Sequence, residues 1–253
     1  MIGTKITRSL ASHFETQFEG LFKITIIGST GSGKTTLLKT IVDFSTKGIE
    51  QPRQHHLEEK HDLSYTLVDR ALWKKESFTT VSFNAVGTLI VQTTFNTIEF
   101  HPMENHSNLY ERTDIATLWA ILFYDTAGQV RFDFMPEICV RGADGVMVFA
   151  DGSSTTSIER ICHYLDLVKV EETRTKKKIP ICIFVNKADL RNKGLFIGAP
   201  FAKMIVGPEY ADCVYETIGI TGIGVEEPFR DLLQALIRER KKRRSLSNRS
   251  SEI

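Results

Sequence analysis

Apolar residues fall into short continuous runs that alternate with longer amphipathic stretches from Leu21 onward. Such alternation is typical of buried strands and surface helices wound into a mostly parallel sheet. The pattern predicts strands at Phe22–Ile27, a pair around Phe83–Phe100, Leu118–Tyr124, Gly145–Ala150, Ile179–Val185 and Cys213–Glu216. It predicts helices from Lys34 to about Phe44, Ser157 to about Glu172 and Val225 to about Lys242, with a weaker one at Pro200–Val206. We therefore expect an α/β fold with helices on both faces of the sheet.

Two polar stretches, near residues 45–78 and 101–114, break this alternation and are interpreted as insertions. The first contains His55, His56 and His61 beside acidic residues, a composition that can ligate a metal. Adjacent histidines in a polar run more often form a solvated surface, which is the interpretation that we favour.

The N-terminal 20 residues carry apolar side chains four positions apart, which gives one apolar stripe on a helix: Ile2, Ile6, Leu10, Phe14 and Phe18. A helix packed on the domain or on a partner protein is the favoured interpretation, because Glu15 and Glu19 oppose anionic lipid. The alternative is an amphipathic helix in a membrane interface, with Lys5 and Arg8 toward the headgroups.

Composition narrows the class of protein. The chain has 253 residues, 42% of them hydrophobic, which suffices for one large domain. Its 32 basic and 31 acidic residues leave a net charge of +1, so we expect no nucleic-acid partner. No apolar run reaches the roughly 18 residues of a membrane span, and four scattered cysteines suit free thiols, so we expect a cytoplasmic protein.

The stretch "GSTGSGKT" has the spacing G-x-x-x-x-G-K-[ST] between a predicted strand and a predicted helix. Its backbone N–H groups and the helix N-terminus suit a phosphate, Lys34 adds a charge, and Thr35 offers a hydroxyl to Mg²⁺. The predicted phosphate contacts are Gly28, Ser29, Thr30, Gly31, Ser32, Gly33, Lys34, Thr35 and Thr36. By itself the loop fits an ATPase as well as a GTPase.

The stretch "FVNKADL" discriminates between the bases. The carboxylate of Asp189 can accept paired hydrogen bonds from guanine N1–H and its amine, a donor pair that adenine lacks. Asn186 can meet another edge of the purine, and the stem of Lys187 can lie along its face.

A third motif, "FYDTAGQVRF", follows another apolar run, and "RGADGVMVFAD" comes after it. With the two motifs above, the chain resembles the Ras-like small GTPases, particularly Rab-like and Arf-like members, from about Phe22 to Lys242. The resemblance implies a P-loop NTPase G domain that binds GTP or GDP with Mg²⁺. It divides the chain into an N-terminal extension (1–20), the G domain with its two insertions (21–242) and a basic tail expected to be disordered (243–253).

The resemblance also assigns roles. Asp125 would hold Mg²⁺ through water, Gly128 would donate its N–H to the γ-phosphate, and Gln129 would orient the attacking water. Thr80, in "TTVSFNAV", is the candidate for the first switch, with its hydroxyl on Mg²⁺ and a role in catalysis beside Lys34 and Gln129. Thr79 is a rival, and both threonines also suit the start of a strand.

The sequence departs from the family pattern in two places, the segment expected to contact the guanine base and the tip of the phosphate loop. The family's Ser-Ala-Lys is here Ile218, Gly219 and Ile220, so Gly219 keeps a backbone N–H for guanine O6, while two supporting side chains are lost. Thr30 occupies a loop position that is glycine in Ras itself and is expected to obstruct an activator's arginine.

The leading hypothesis is a GTP-hydrolysing switch whose partners are guanine nucleotide, an exchange factor, an activator and effectors. A nucleotide-locked scaffold with little hydrolysis is the alternative. Contact with a membrane surface is left open by the N-terminal stripe.

Overall fold

A long strand, β1 (Phe18–Gly28), runs through the middle of an eight-stranded sheet. The structure is a computed structural model. It describes residues 10–38, 66–67, 84–94, 98–102, 109–125 and 134–250. The other strands are β2 (Thr66–Leu67), β3 (Asn84–Thr93), β4 (Ile98–Pro102), β5 (Ile115–Asp125), β6 (Gly145–Asp151), β7 (Ile181–Asn186) and β8 (Val214–Thr217). Their order is β2-β3-β5-β1-β6-β7-β8, with β4 also paired to β3.

The centre of the sheet is parallel, as the apolar runs predict. β1 pairs in parallel with β5 on one side and β6 on the other, and β6, β7 and β8 continue in the same direction. Strands covered on both faces read as continuous apolar runs, which explains "GVMVFA". The expected mostly parallel α/β fold is confirmed.

One end of the sheet is antiparallel. β3 pairs with β5 along one edge, and β2 and β4 both pair with β3. The predicted strand pair around Phe83–Phe100 therefore corresponds to β3 and β4. β2 lies inside the stretch interpreted as the first insertion, and at two residues it is too short for any hydrophobic period to reveal.

Helices cover both faces. Their bounds are α1 (10–13, from the first described residue), α2 (34–38, as far as described), α3 (Phe134–Val140), α4 (Thr155–Thr175), α5 (Ala199–Val206) and α6 (Glu226–Ser250), with 3₁₀ turns at Ala188–Lys193 and Ala211–Cys213. Side chains of α2 and α6 pack on one face of the sheet, and those of α4 and α5 pack on the other. None of the helices in the described part of the chain is long and apolar enough to cross a bilayer.

Two helices differ from the prediction. α6 continues to Ser250, so the tail expected to be disordered from residue 243 is helical as far as that residue. α6 is anchored before its extension, because the Arg240 guanidinium donates to Leu21 O at 2.6 Å and lies 4.1 Å from the Phe22 ring centre. α3 was not predicted; its Pro136 lies in the first turn, where proline is tolerated.

The described end of the N-terminal extension packs on the domain. Leu10 and Phe14 are 0% and 4% exposed and join a cluster with Leu89 of β3 and Leu118 of β5. The His13 ring lies 4.2 Å from the ring of Tyr110, in the second insertion. These contacts favour the packed interpretation of the apolar stripe for residues 10–18.

We expect Phe14→Ala to lower the free energy of unfolding by roughly 3–5 kcal/mol, because it removes a buried aromatic ring and leaves a cavity. Urea unfolding followed by circular dichroism measures the change. Glu15→Ala, at an exposed neighbouring position, is the control and should stay within about 0.5 kcal/mol of wild type. Equal stability of the two variants would contradict the docking of this segment.

Candidate functional site

Five neighbouring strands end at the same edge of the sheet with polar residues or glycine. Their last residues are Gly28, Asp125, Asp151, Asn186 and Thr217. Parallel strands place their carboxyl ends together, and ligands of open α/β sheets bind outside these ends. Each of the three sequence motifs contains one of these strand ends, Gly28, Asp125 or Asn186, so the fold brings these three residues to one edge.

Side chains of the phosphate loop donate hydrogen bonds to backbone carbonyls of the same loop. Lys34 Nζ donates to Gly28 O at 2.8 Å and to Ser29 O at 2.9 Å, and the Ser32 hydroxyl donates to Ser29 O at 2.8 Å. The hydroxyl of Ser29 is buried with no hydrogen-bond partner among the described residues. A buried donor left over in a loop that opens a helix fits a bound anion, so the loop suits the phosphate predicted for it.

The pKa of the Lys34 amine is expected to change when a phosphate binds. The residue is 5% exposed, and this burial lowers the pKa of its amine to about 8, although the nearby Asp125 carboxylate acts in the opposite direction. A phosphate beside the ammonium would favour the charged form and raise this pKa again.

Thr35 and Asp125 form the candidate magnesium site. Asp125 is fully buried at the end of β5, opposite Ile26 of β1, and the Thr35 hydroxyl donates to its Oδ2 at 2.7 Å. Hydroxyl, carboxylate, water and phosphate oxygens are the ligands that Mg²⁺ prefers. Thr35, a predicted ligand, and Asp125, predicted to act through water, are therefore adjacent and chemically suited to this ion.

No cluster of three or more His, Cys, Asp or Glu side chains suited to a metal occurs in the described ranges. The histidines at 55, 56 and 61 lie outside those ranges. The roles of Thr35 and Asp125 toward a metal ion remain predictions.

Asn186, in the stretch "FVNKADL", links the phosphate loop to the end of β8 and the loop after it. Its Nδ2 donates to Ser32 O of the phosphate loop at 2.8 Å, and its Oδ1 accepts from Gly219 N at 2.7 Å and from the Thr217 hydroxyl at 3.3 Å. The residue is buried. The spacing between the phosphate loop and the loop after β8 is therefore held by one side chain.

Lys187 adopts a left-handed conformation (φ 71°) at the start of a 3₁₀ turn, and its Nζ donates to Asp151 Oδ2 at 2.5 Å. Asp189, two residues on, is exposed. Its carboxylate is thus accessible to a base, as the guanine interpretation requires.

Backbone hydrogen bonds join the two ends of the loop after β8. Ile218 N donates to Ile223 O at 3.0 Å, and Ile218 O accepts from Thr221 N and Gly222 N. The Gly219 N–H, which the resemblance assigns to guanine O6, donates to Asn186 in this structure. Its role toward the base remains a prediction.

The structure brings most of the predicted residues together at the edge described above: residues 28–36, Asp125, Asn186, Lys187, Asp189, Ile218 and Gly219. Thr80, its rival Thr79, Gly128 and Gln129 lie outside the described residues, so their roles remain predictions. Asp151 and Thr217 were missed. A carboxylate ending a parallel strand, as in "VFAD", is the signal that points to Asp151.

Comparison with known proteins agrees with this geometry. A model of the Ras family matches residues 85–238, more than half of the chain. The chain belongs to the Ras family. The matched segment begins after the phosphate loop, so the loop and the family match support this assignment independently.

The proteins similar to this chain include several Ras-related proteins. RABG1 of Arabidopsis thaliana is 30% identical over 133 residues, which are 51% of this chain and 63% of that protein. Rab-21 of Dictyostelium discoideum is 30% identical over 138 residues (53% and 58%), and RABA1b of Arabidopsis thaliana is 24% identical over 228 residues (88% and 79%). The chain thus spans about three fifths of the length of the first two.

We expect the affinity of the nucleotide-free protein for GDP to fall as pH rises. Only the ammonium form of Lys34 attracts phosphate, and with its pKa at about 8, binding above this pH requires proton uptake. The association constant should fall about fivefold between pH 7 and pH 8.7, with uptake of about half a proton at pH 8.

Titration calorimetry in buffers of different ionisation enthalpy measures both quantities. Lys34→Arg is the control, because arginine stays charged throughout this range and should give a flat profile where it binds. A flat wild-type profile without proton uptake would mean that Lys34 is not the responding group.

Proposed function

We propose that the chain is a GTP-binding and GTP-hydrolysing molecular switch that cycles between GTP-bound and GDP-bound conformations to control partner binding. The observation that carries this proposal is the position of Asn186, which joins the phosphate loop to the guanine motif at 2.8 Å. This contact places the phosphate loop beside the stretch that carries Asp189, so one nucleotide would reach both, and Asp189 would select guanine.

The proposed chemistry uses few protein groups. Thr35 and Asp125, with Thr80, would hold Mg²⁺, which supplies positive charge to the phosphates. Lys34 neutralises phosphate charge from inside the loop, and Gln129 orients the attacking water. Unaided turnover in such proteins is on the order of 10⁻⁴ per second, which suits timing rather than metabolism.

The proposed partners follow from the cycle. Slow turnover implies an activator, and tight nucleotide binding implies an exchange factor, while effectors would read the nucleotide-dependent surface. The four cysteines are free thiols, which fits the proposed cytoplasmic location. For contact with a membrane surface the described residues offer little support, since Leu10 and Phe14 are buried in the domain.

The alternative, a scaffold that binds nucleotide with little hydrolysis, is favoured by Thr30, by the long first insertion and by the loop after β8. Ile218 and Ile220 replace the serine and lysine that support the base loop in the family. Measuring hydrolysis separates the two functions.

We expect purified wild type to carry guanine nucleotide and to hydrolyse GTP slowly in a single turnover. Gln129→Leu should lower the rate at least tenfold, because the attacking water loses its orienting amide. Chromatography of bound nucleotide after denaturation, and of product against time, measures both. Bound GTP without turnover in either protein would instead indicate the scaffold, and a preference for ATP would overturn the proposal.

We expect Asp189→Asn to weaken GDP binding by at least tenfold, because the amide presents a donor where the carboxylate accepts from guanine N1–H. Competition against a fluorescent GDP analogue measures this effect. Asp166→Asn, at an exposed position on α4, is the matched control and should bind as wild type does. Unchanged affinity in Asp189→Asn would refute the guanine assignment.

A further inference from the structure

We propose that Asp151 is a positioning residue for the purine base, acting through Lys187. The inference rests on the proposed guanine site. It goes beyond that site, because the three sequence motifs do not include Asp151, and the stretch "RGADGVMVFAD", which ends with it, has no assigned role.

The first observation is the backbone of Lys187. Its φ of 71° is one of two positive values among the described non-glycine residues, the other being that of Lys176 in the C-cap of α4. A left-handed conformation is unfavourable for a residue with a long side chain. Such a conformation persists only where the surroundings hold it, so the backbone of Lys187 is held by its contacts.

The second observation is the ion pair. Lys187 Nζ lies 2.5 Å from Asp151 Oδ2, and both side chains are mostly covered, with 34% and 16% of their surfaces exposed. The other carboxylate oxygen, Oδ1, accepts from Ser153 N at 2.9 Å and from the Ser153 hydroxyl at 2.6 Å. Asp151 is therefore oriented by the turn that follows β6 before it contacts Lys187.

The charge of Asp151 is maintained. Partial burial raises the pKa of its carboxyl group, but hydrogen bonds from Lys187 and Ser153 outweigh this effect and leave the pKa below its ordinary value. The carboxylate of Asp151 therefore stays ionised throughout the neutral range.

The backbone around the pair is fixed. Asp151 is directly opposite Asn186 in the β6–β7 pairing, and Gly152 N donates to Asn186 O at 2.9 Å. A Cβ on Gly152 would lie 2.1 Å from the Phe196 ring and 2.7 Å from Asn186 O, so only glycine fits. The Asp151–Gly152 turn thus packs directly on Asn186, the residue before Lys187.

The consequence concerns the stem of Lys187. Because Asp151 holds the ammonium of Lys187, the four methylene groups of the lysine are confined to one path. The carboxylate also neutralises the charge of the ammonium. The stem then offers the purine an ordered apolar surface, and less conformational entropy is lost when the nucleotide binds. Removing the carboxylate frees the ammonium and disorders this surface.

The test is a double-mutant cycle on GDP dissociation, followed by release of a fluorescent GDP analogue. Asp151→Asn should raise the dissociation rate about tenfold, and Lys187→Met, which keeps the stem length but leaves the carboxylate unpaired, should do the same. The double variant should release GDP no faster than either single variant, because both changes remove one interaction.

Two further variants complete the design. Asp166→Asn, on the exposed side of α4, is the charge-matched control and should release GDP at the wild-type rate. Ser153→Ala removes one hydrogen bond to Asp151 but keeps its charge, so it serves if Asp151→Asn does not fold. Its smaller increase, about threefold, should disappear in the Lys187→Met background.

Multiplicative effects, near a hundredfold in the double variant, would show that Asp151 acts on the fold rather than through Lys187 and would overturn the inference. An unchanged rate in folded Asp151→Asn or Ser153→Ala would do the same. Wild type that binds no guanine nucleotide would instead refute the proposed function.

Discussion

The hydrogen bonds of the Asn186 side chain hold together the parts of the site that the chain supplies from distant positions. One amide carries a donor and an acceptor on the same carbon, and here it uses both, toward Ser32 O and Gly219 N. Aspartate at this position offers no donor to the carbonyl. The contact also restricts its neighbours, since a Cβ on Gly33 would lie 2.0 Å from Asn186 Nδ2.

This amide is effective because the sheet beneath it is rigid. β1 is paired on both sides and covered on both faces, and the phosphate loop follows directly from its last residue. β7 is separated from β1 only by β6, so a side chain at the end of β7 reaches the loop. The register of the parallel strands thus fixes distances that the loops alone would leave variable.

Features that depend on neighbouring residues were predictable from the sequence. The loop from Gly28 to Thr35 and the run from Asn186 to Asp189 carry their chemistry within a few positions, and the buried strands follow from apolar runs. The partnership of Asp151 with Lys187 was not predictable, because it joins residues 36 positions apart through strand pairing. The extension of α6 was missed for another reason, since its polar end lacks an apolar face.

The loop after β8 shows how a changed motif can retain its geometry. The serine and lysine that the family uses are absent, yet Ile218 O accepts from the N–H groups of Thr221 and Gly222, and Ile218 pairs with Ile223. These backbone hydrogen bonds do not involve the side chains that differ from the family, so the closure of the loop does not depend on those side chains. What the substitutions remove is side-chain contact, and the exposed Ile220 places an apolar group where the family has a charge. Any loss of affinity at this loop would therefore come from missing contacts rather than from disorder.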